Sequence, residues 1–280
     1  KGHSGPVGQV AVNAAGTQLA SVSMDQTIRL WDAASGKPGR VLAGHTHWVW
    51  AAVYGKHPHT LYSAGDTTLR RWNTNTGKQE RMITVTASQA RCLALAPNFK
   101  YAVIGDKQGI VTTWDLATSK KIRTLTPHDD EVSGVAVSPD GKWIASSGFD
   151  GSVLVHVART GQLHKRLIGS EAPLQSLSIR PDSLQVAAGS HASEVFIWNI
   201  ADGAPQPGLP ETDAGIVYRL TWTPDGQEII TAQDDGTILV RRPGNTEDVE
   251  ILKGHSKGVL TVVFNRRTGE LVSSSFDETI

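Results

Sequence analysis

The chain has 280 residues, and 27 Lys and Arg balance 27 Asp and Glu, so its formal net charge is zero. That balance argues against nucleic acid or an anionic membrane surface as the main partner, since both need clustered Lys and Arg. A single cysteine excludes an intrachain disulfide and a Cys-rich zinc site. No stretch approaches about 18 consecutive apolar residues, so no membrane insertion is expected.

Residues 1–42 set the pattern. Val7, Val10 and Val12 lie in a short, mostly apolar run that ends at the turn Asn13-Ala-Ala-Gly16. Leu19-Ala-Ser-Val-Ser23 follows, then Met24-Asp-Gln26, then Thr27-Ile-Arg-Leu-Trp31, which alternates with period two. Ala34-Ser-Gly-Lys37 interrupts the chain before Val41-Leu42 opens a fourth run. Short alternating runs between turn residues predict strands, and no segment has a helical period of useful length. The predicted class is all-β.

The pattern then recurs. Trp31-Asp32, Trp72-Asn73 and Trp114-Asp115 are spaced by 41 and 42 residues, and Trp198-Asn199 rejoins the series 84 residues further on. A fixed period of this size marks one supersecondary unit copied along the chain. Such a unit cannot bury its own apolar face and must stack on its neighbours. Seven copies register on the residue of the second hairpin: Asp25, Asp66, Gln108, Asp150, Ala192, Asp235 and Asp277. Six residues on lie Trp31, Trp72, Trp114, His156, Trp198 and Arg241. Ser138-Pro-Asp-Gly141 and Thr223-Pro-Asp-Gly226 supply turn chemistry after the first strand. The copies span 1–42, 43–83, 84–125, 126–167, 168–210, 211–252 and 253–280, the last one incomplete, and together make a single domain.

These residues resemble the WD-repeat family of β-propellers. The carriers are Gly2-His3, Gly44-His45 and Gly254-His255, with Pro127-His128 as a variant, each followed downstream by the Asp and Trp positions just named. The Ala- and Gly-rich repeats, such as Asp32-Ala-Ala-Ser-Gly-Lys37, resemble bacterial WD-repeat proteins in particular. The resemblance implies a seven-bladed propeller of four-stranded antiparallel blades with an incomplete last blade. It also implies one hydrogen-bonded set per blade: His3, Ser21, Asp25 and Trp31 in the first, and His45, Ser63, Asp66 and Trp72 in the second. The fourth keeps His128, Ser146 and Asp150 but has His156 for Trp. The seventh keeps His255, Ser273 and Asp277. Thr86, Ser170 and Asp213 stand where His is expected in copies three, five and six, which should rely more on apolar packing.

In that family, the residue after the first apolar position of the innermost strand lines the channel mouth. Here those residues are Gly8, Trp50, Arg91, Ser133, Gln175, Tyr218 and Leu260. The residues before the turn Asp lie nearby: Met24, Gly65, Lys107, Phe149, His191, Asp234 and Phe276. Trp, Tyr and Arg are favoured interface anchors, so Trp48, Trp50, Arg91, Tyr218, Phe149 and Phe276 are the candidate partner-binding residues. The competing expectation is that these rings pack between blades.

The chemistry otherwise points away from catalysis. The Ser, His and Asp of each repeat match a catalytic triad in composition only. His45-Thr-His47 and His57-Pro-His59 do not supply the three or four convergent ligands a metal needs, so no metal or cofactor is expected. No phosphate-binding loop or nucleophile elbow is present. The sequence therefore predicts a non-catalytic scaffold that binds a protein or peptide, as a monomeric propeller. The alternative is an accessory propeller of a larger enzyme or redox protein fused to a kinase or cytochrome domain. The last copy is cut before its Trp, which fits either a piece of a longer protein or an edge completed by a partner strand. No signal peptide is visible and the compartment stays open, with the cytoplasm the default.

Overall fold

A computed structural model describes residues 2–245 and 249–280. The short alternating runs form strands, joined in each unit by successive antiparallel hairpins. Blade one is Val7–Val12, Gln18–Ser23, Thr27–Asp32 and Pro38–Ala43, paired in chain order. Five further sheets repeat this four-stranded order, with inner strands Ala51–Tyr54, Ala90–Leu95, Val132–Val137, Leu174–Ile179 and Val217–Trp222.

The expectation of seven blades is corrected by this topology. The structure is an all-β, six-bladed β-propeller of four-stranded antiparallel blades. Residues of the seventh copy form only a two-stranded sheet, Val259–Asn265 with Glu270–Ser275. After Ser275 the chain makes a turn, in which the Ser275 N–H reaches the Thr279 carbonyl at 3.3 Å.

This hairpin nevertheless fills the gap in the ring. Its first strand packs between the inner strands of blade six and blade one. Three side chains tie it to blade one: Asn265 Nδ2 donates to Gly16 O (3.2 Å), Arg267 Nη1 to Ala15 O (2.8 Å) and Ser274 Oγ to Val7 O (2.9 Å).

The apolar core lies between units rather than within them, as a repeat with an unburied face requires. Ala20, Val22, Ile28, Leu30 and Leu42 of blade one pack against Val49, Ala52, Tyr54, Leu61 and Trp72 of blade two. Blades four and five meet in the same way through Val153, Val155 and Leu167 against Leu174, Val186 and Trp198. Straps on the outer side add to this. Arg81 Nη1 donates to Ala117 O at 2.8 Å, and Arg123 Nη1 to Arg159 O at 2.8 Å, each crossing to the next blade.

The Pro-Asp-Gly turns close as their chemistry dictates. Gly141 and Gly226 take φ of 73° and 70°, and their N–H groups reach Ser138 O and Thr223 O. Ser183 holds the same place in blade five at φ 66°, a left-handed conformation that a side chain disfavours.

One irregularity recurs on the inner strands. The register against the second strand slips at Gly8, Arg91, Ser133, Gln175, Tyr218 and Leu260, each a β-bulge that leaves one residue unpaired. Bulges re-aim side chains at sheet edges and barrel rims. Buried apolar residues flank each bulge at a spacing of three, as in Val7 and Val10, Leu174 and Leu177, or Val217 and Leu220. The first of the two residues between them lines the central cavity in every unit.

Candidate functional site

Each blade's buried polar set follows from which hydrogens its members carry. In blade one Trp31 Nε1 donates to Ser21 Oγ (2.8 Å), Ser21 Oγ lies 2.7 Å from His3 Nε2, and His3 Nδ1 lies 2.8 Å from Asp25 Oδ2. A neutral imidazole with its proton on Nδ1 satisfies every link: the serine hydroxyl donates to Nε2, and Nδ1–H donates to the carboxylate. Burial lowers the His3 pKa, outweighing the pull of Asp25. Burial pushes Asp25 the other way, but hydrogen bonds from Thr27, His3 and Ser4 hold it below the usual carboxylate range.

Blade two repeats the chain through Trp72, Ser63 and His45, with both serine links at 2.8 Å. Its Asp66 is turned, because a buried Arg70 takes Oδ2 at 3.0 Å while His45 Nδ1 lies 3.2 Å from Oδ1. Arg70 is a partner that no motif position predicts. In the hairpin, His255 Nδ1 lies 3.0 Å from Asp277 and Nε2 lies 2.9 Å from Ser273.

Blades three and five hold acids that the register missed. Thr86 donates to Asp106, two residues before Gln108. Ser170 donates to Glu194 (3.0 Å), two residues after Ala192. In blade six Arg241 fills the Trp position, fully buried, and donates to Pro210 O at 2.8 Å, and burial lowers its pKa to about 10. An acid within two positions of the expected one was the available signal for the first two.

Blade four shows why glycine precedes histidine. A Cβ on Gly2 would lie 2.3 Å from Trp31 Cη2, and one on Gly169 would lie 3.0 Å from Trp198 Cη2. The indole needs that space. In blade four His156 replaces Trp and Pro127 replaces Gly. His128 still reaches Ser146 (2.8 Å) and Asp150 (3.0 Å). His156, however, is 0% exposed with neither ring nitrogen hydrogen-bonded. We expect His156→Trp alone to destabilise the fold by about 1–3 kcal/mol through overpacking, and Pro127→Gly added to it to recover that loss. Chemical denaturation of both variants checks this, and equal midpoints would refute it.

The channel mouth is built at the starts of the inner strands, at a bulge in every unit except blade two. Gly8, Trp50, Arg91, Ser133, Gln175, Tyr218 and Leu260 line one cavity with Met24, Phe149 and Phe276, and its volume is about 250 Å³. Trp48 is not among its walls. It is 40% exposed and packs edge-on to Trp50, with centroids 5.4 Å apart. The Arg91 guanidinium stacks 3.6 Å over the Trp50 ring and forms an ion pair with Glu131. Tyr218 packs edge-on to Phe276 (5.6 Å), and its hydroxyl donates to Asp234 at 3.0 Å. Burial, together with that carboxylate, pushes the Tyr218 phenol up to about 12. Phe149 meets His191 at 5.3 Å, and His191 Nε2 lies 2.7 Å from Gln175 Oε1. The rim is therefore a set of rings fixed by neighbours, with faces open to the channel. Among the described residues no group of three or more His, Cys, Asp or Glu is placed to hold a metal ion.

Copied antiparallel blades, cores between units and a lined axial channel define a repeat-built β-propeller. The repeat profile described as "WD40: WD domain, G-beta repeat" matches residues 1–32, 36–73, 119–156, 207–241 and 246–280, more than half of the chain. The chain belongs to the WD40 repeat family. It is 32% identical over 108 residues to nuclear distribution protein PAC1 of Arthroderma benhamiae, covering 38% of this chain and 23% of that protein. It is 34% identical over 80 residues to eukaryotic translation initiation factor 3 subunit I of Schizosaccharomyces pombe, covering 28% and 24%. It is 29% identical over 118 residues to THO complex subunit 3 of Arabidopsis thaliana, covering 40% and 37%. The matches thus span well under half of each relative. These relatives are eukaryotic and give no support to the bacterial assignment drawn from the Ala- and Gly-rich repeats.

Proposed function

We propose that this chain is a non-catalytic interaction scaffold that binds a peptide or protein segment at the channel mouth. One observation carries the reading: the starts of the inner strands bring Trp50, Arg91 and Tyr218, from three different blades, onto the walls of a single cavity with Phe149 and Phe276. Rings already held by neighbours lose little freedom on binding, and such anchors dominate interface energetics. Two of the relatives are named as subunits of larger assemblies, which fits a partner of protein type. The triad-like sets support a structural role. Ser21, Ser63 and Ser146 are 0% exposed, out of reach of any substrate.

Trp50→Ala and Tyr218→Ala, made singly and together, are each expected to lower recovery of bound partners at least ten-fold in affinity capture. Unchanged circular dichroism would show that the fold survives. Full recovery of the same partners by the folded double variant would sink the channel-mouth reading.

A further inference from the structure

Each inner strand places two residues between its buried apolar positions. The first faces the mouth, and the second lies one step deeper. In that deeper ring Arg219 is the sole charged residue. Its neighbours in the ring come from the inner strands of blade five and of the hairpin, which pack on either side of Val217–Trp222. They are Ser176 and Thr261, each 1% exposed, each with a side-chain oxygen that has no hydrogen-bond partner. Arg219 and Thr261 both line the cavity.

The other polar groups at this level are engaged. Gln9 Oε1 accepts the Ala52 N–H at 2.8 Å. The Cys92 thiol, its pKa pushed up to about 12 by burial, points to the Val132 carbonyl at 3.7 Å. Glu131, the acid on the cavity wall, is taken by Arg91. Among the described residues the Arg219 guanidinium has no side-chain hydrogen bond or ion pair, and no carboxylate acts on it.

Buried polar groups almost always find partners, and beside two buried hydroxyls Arg219 is half-buried on the cavity wall with its charge uncompensated. Here a cation and two hydroxyls lack partners at three consecutive places of one ring. Their shared complement is an anionic acceptor. A carboxylate matches the planar fork of a guanidinium and has lone pairs left for flanking hydroxyl donors. At about 250 Å³ the cavity falls below the range of about 300–1,000 Å³ usual for small-molecule pockets, so it suits one side chain better than a whole metabolite.

We infer that Arg219, flanked by Ser176 and Thr261, receives the carboxylate of an acidic side chain on a partner peptide that enters past Trp50 and Tyr218. This rests on the peptide-binding reading and adds the chemistry that would select the peptide.

The probe is a set of randomised nonapeptide pools whose central residue is fixed as Glu, Gln, Lys or phosphoserine. Retention is measured on the wild-type protein and on Arg219→Gln and Thr261→Val. The Glu pool should be retained at least ten-fold more than the Gln pool by the wild type. That ratio should fall to near one in Arg219→Gln and by several-fold in Thr261→Val. The circular dichroism and melting temperature of Arg219→Gln check that this variant folds. If Arg219→Gln does not fold, Thr261→Val decides: a reduced ratio supports the assignment and an unchanged ratio overturns it. Equal retention of Glu and Gln pools, lost in Trp50→Ala, would overturn the carboxylate assignment and leave the peptide-binding reading intact. Dominance of the phosphoserine pool would overturn it in favour of a phosphate. Retention of no pool by the wild type would overturn the peptide-binding reading as well.

Discussion

Asp66→Ala is expected to be the most damaging single substitution in the buried sets, at about 3–5 kcal/mol. Asp66 is 7% exposed and accepts hydrogen bonds from the Thr46 and Thr68 N–H groups, both at 3.0 Å, and from Arg70 Nη2 at 3.0 Å. Removing it orphans those donors, but the larger cost is the cation left behind. Arg70 is 6% exposed and keeps only Thr68 and Gln79 as partners. In a chain of this size each kcal/mol moves the melting midpoint by about 2–4 °C, so a fall of about 10 °C or more is expected. The double variant Asp66→Ala with Arg70→Leu separates the causes, because removing both charges should cost less than removing one. If the double variant melts no higher than Asp66→Ala, the stranded cation is not the source of the loss.

The second large effect is on pH dependence. Burial lowers the pKa of His3, His45 and His128, and it takes His156 to about 4 with the nearby His128 contributing. A histidine whose folded pKa lies below its unfolded value near 6.5 takes up protons more readily when unfolded. Its contribution is complete above about pH 6.5 and is lost as pH falls from there to the folded value. For His156 alone that loss amounts to about 3 kcal/mol by pH 4. The carboxylates act later. Asp25, Asp66, Asp150 and Asp277 are all held low, so their stability is complete above the unfolded value of about 4 and fades below it. The melting midpoint should therefore fall in two stages, the first starting near pH 6.5. His156→Phe should flatten that first stage, gaining more at pH 5 than at pH 8. Parallel midpoint-against-pH curves for the variant and the wild type between pH 4 and 7 would contradict this.

The period was legible from four Trp positions, and with it came the strand order within each unit. The number of blades was not. Registering Asp277 counts a seventh repeat, but a blade needs four paired strands, and residues 253–280 form two, Val259–Asn265 and Glu270–Ser275. Residue counting also put Gln108 and Ala192 at the Asp positions of copies three and five, which read as lacking the acid, whereas Asp106 and Glu194 do the accepting from displaced positions. Hydrogen bonding requires an acceptor in the right place, and a backbone turn can bring it there from a neighbouring residue. Arg70 was illegible for the same reason. It shares a strand face with Trp72, but no repeat position marks a cation there, and only the shared Asp66 makes it a buried partner. The mouth residues were assigned by resemblance, but the sequence held a physical signal for them. Apolar residues at a spacing of three break the alternation of a strand, and that break is the bulge.

The bulges have an engineering consequence. The two residues between each pair of flanking apolar positions include several that bridge neighbouring blades, such as Gln9, Arg91, Cys92 and Ser133, whereas among the described residues Tyr218 and Arg219 make no such bond and can be exchanged more freely. A library confined to Tyr218 and Arg219 would alter what the axis recognises while leaving the inter-blade bonds of Gln9, Arg91, Cys92 and Ser133 in place. The same scaffold can be retuned one wall at a time, because each pair comes from a different repeat.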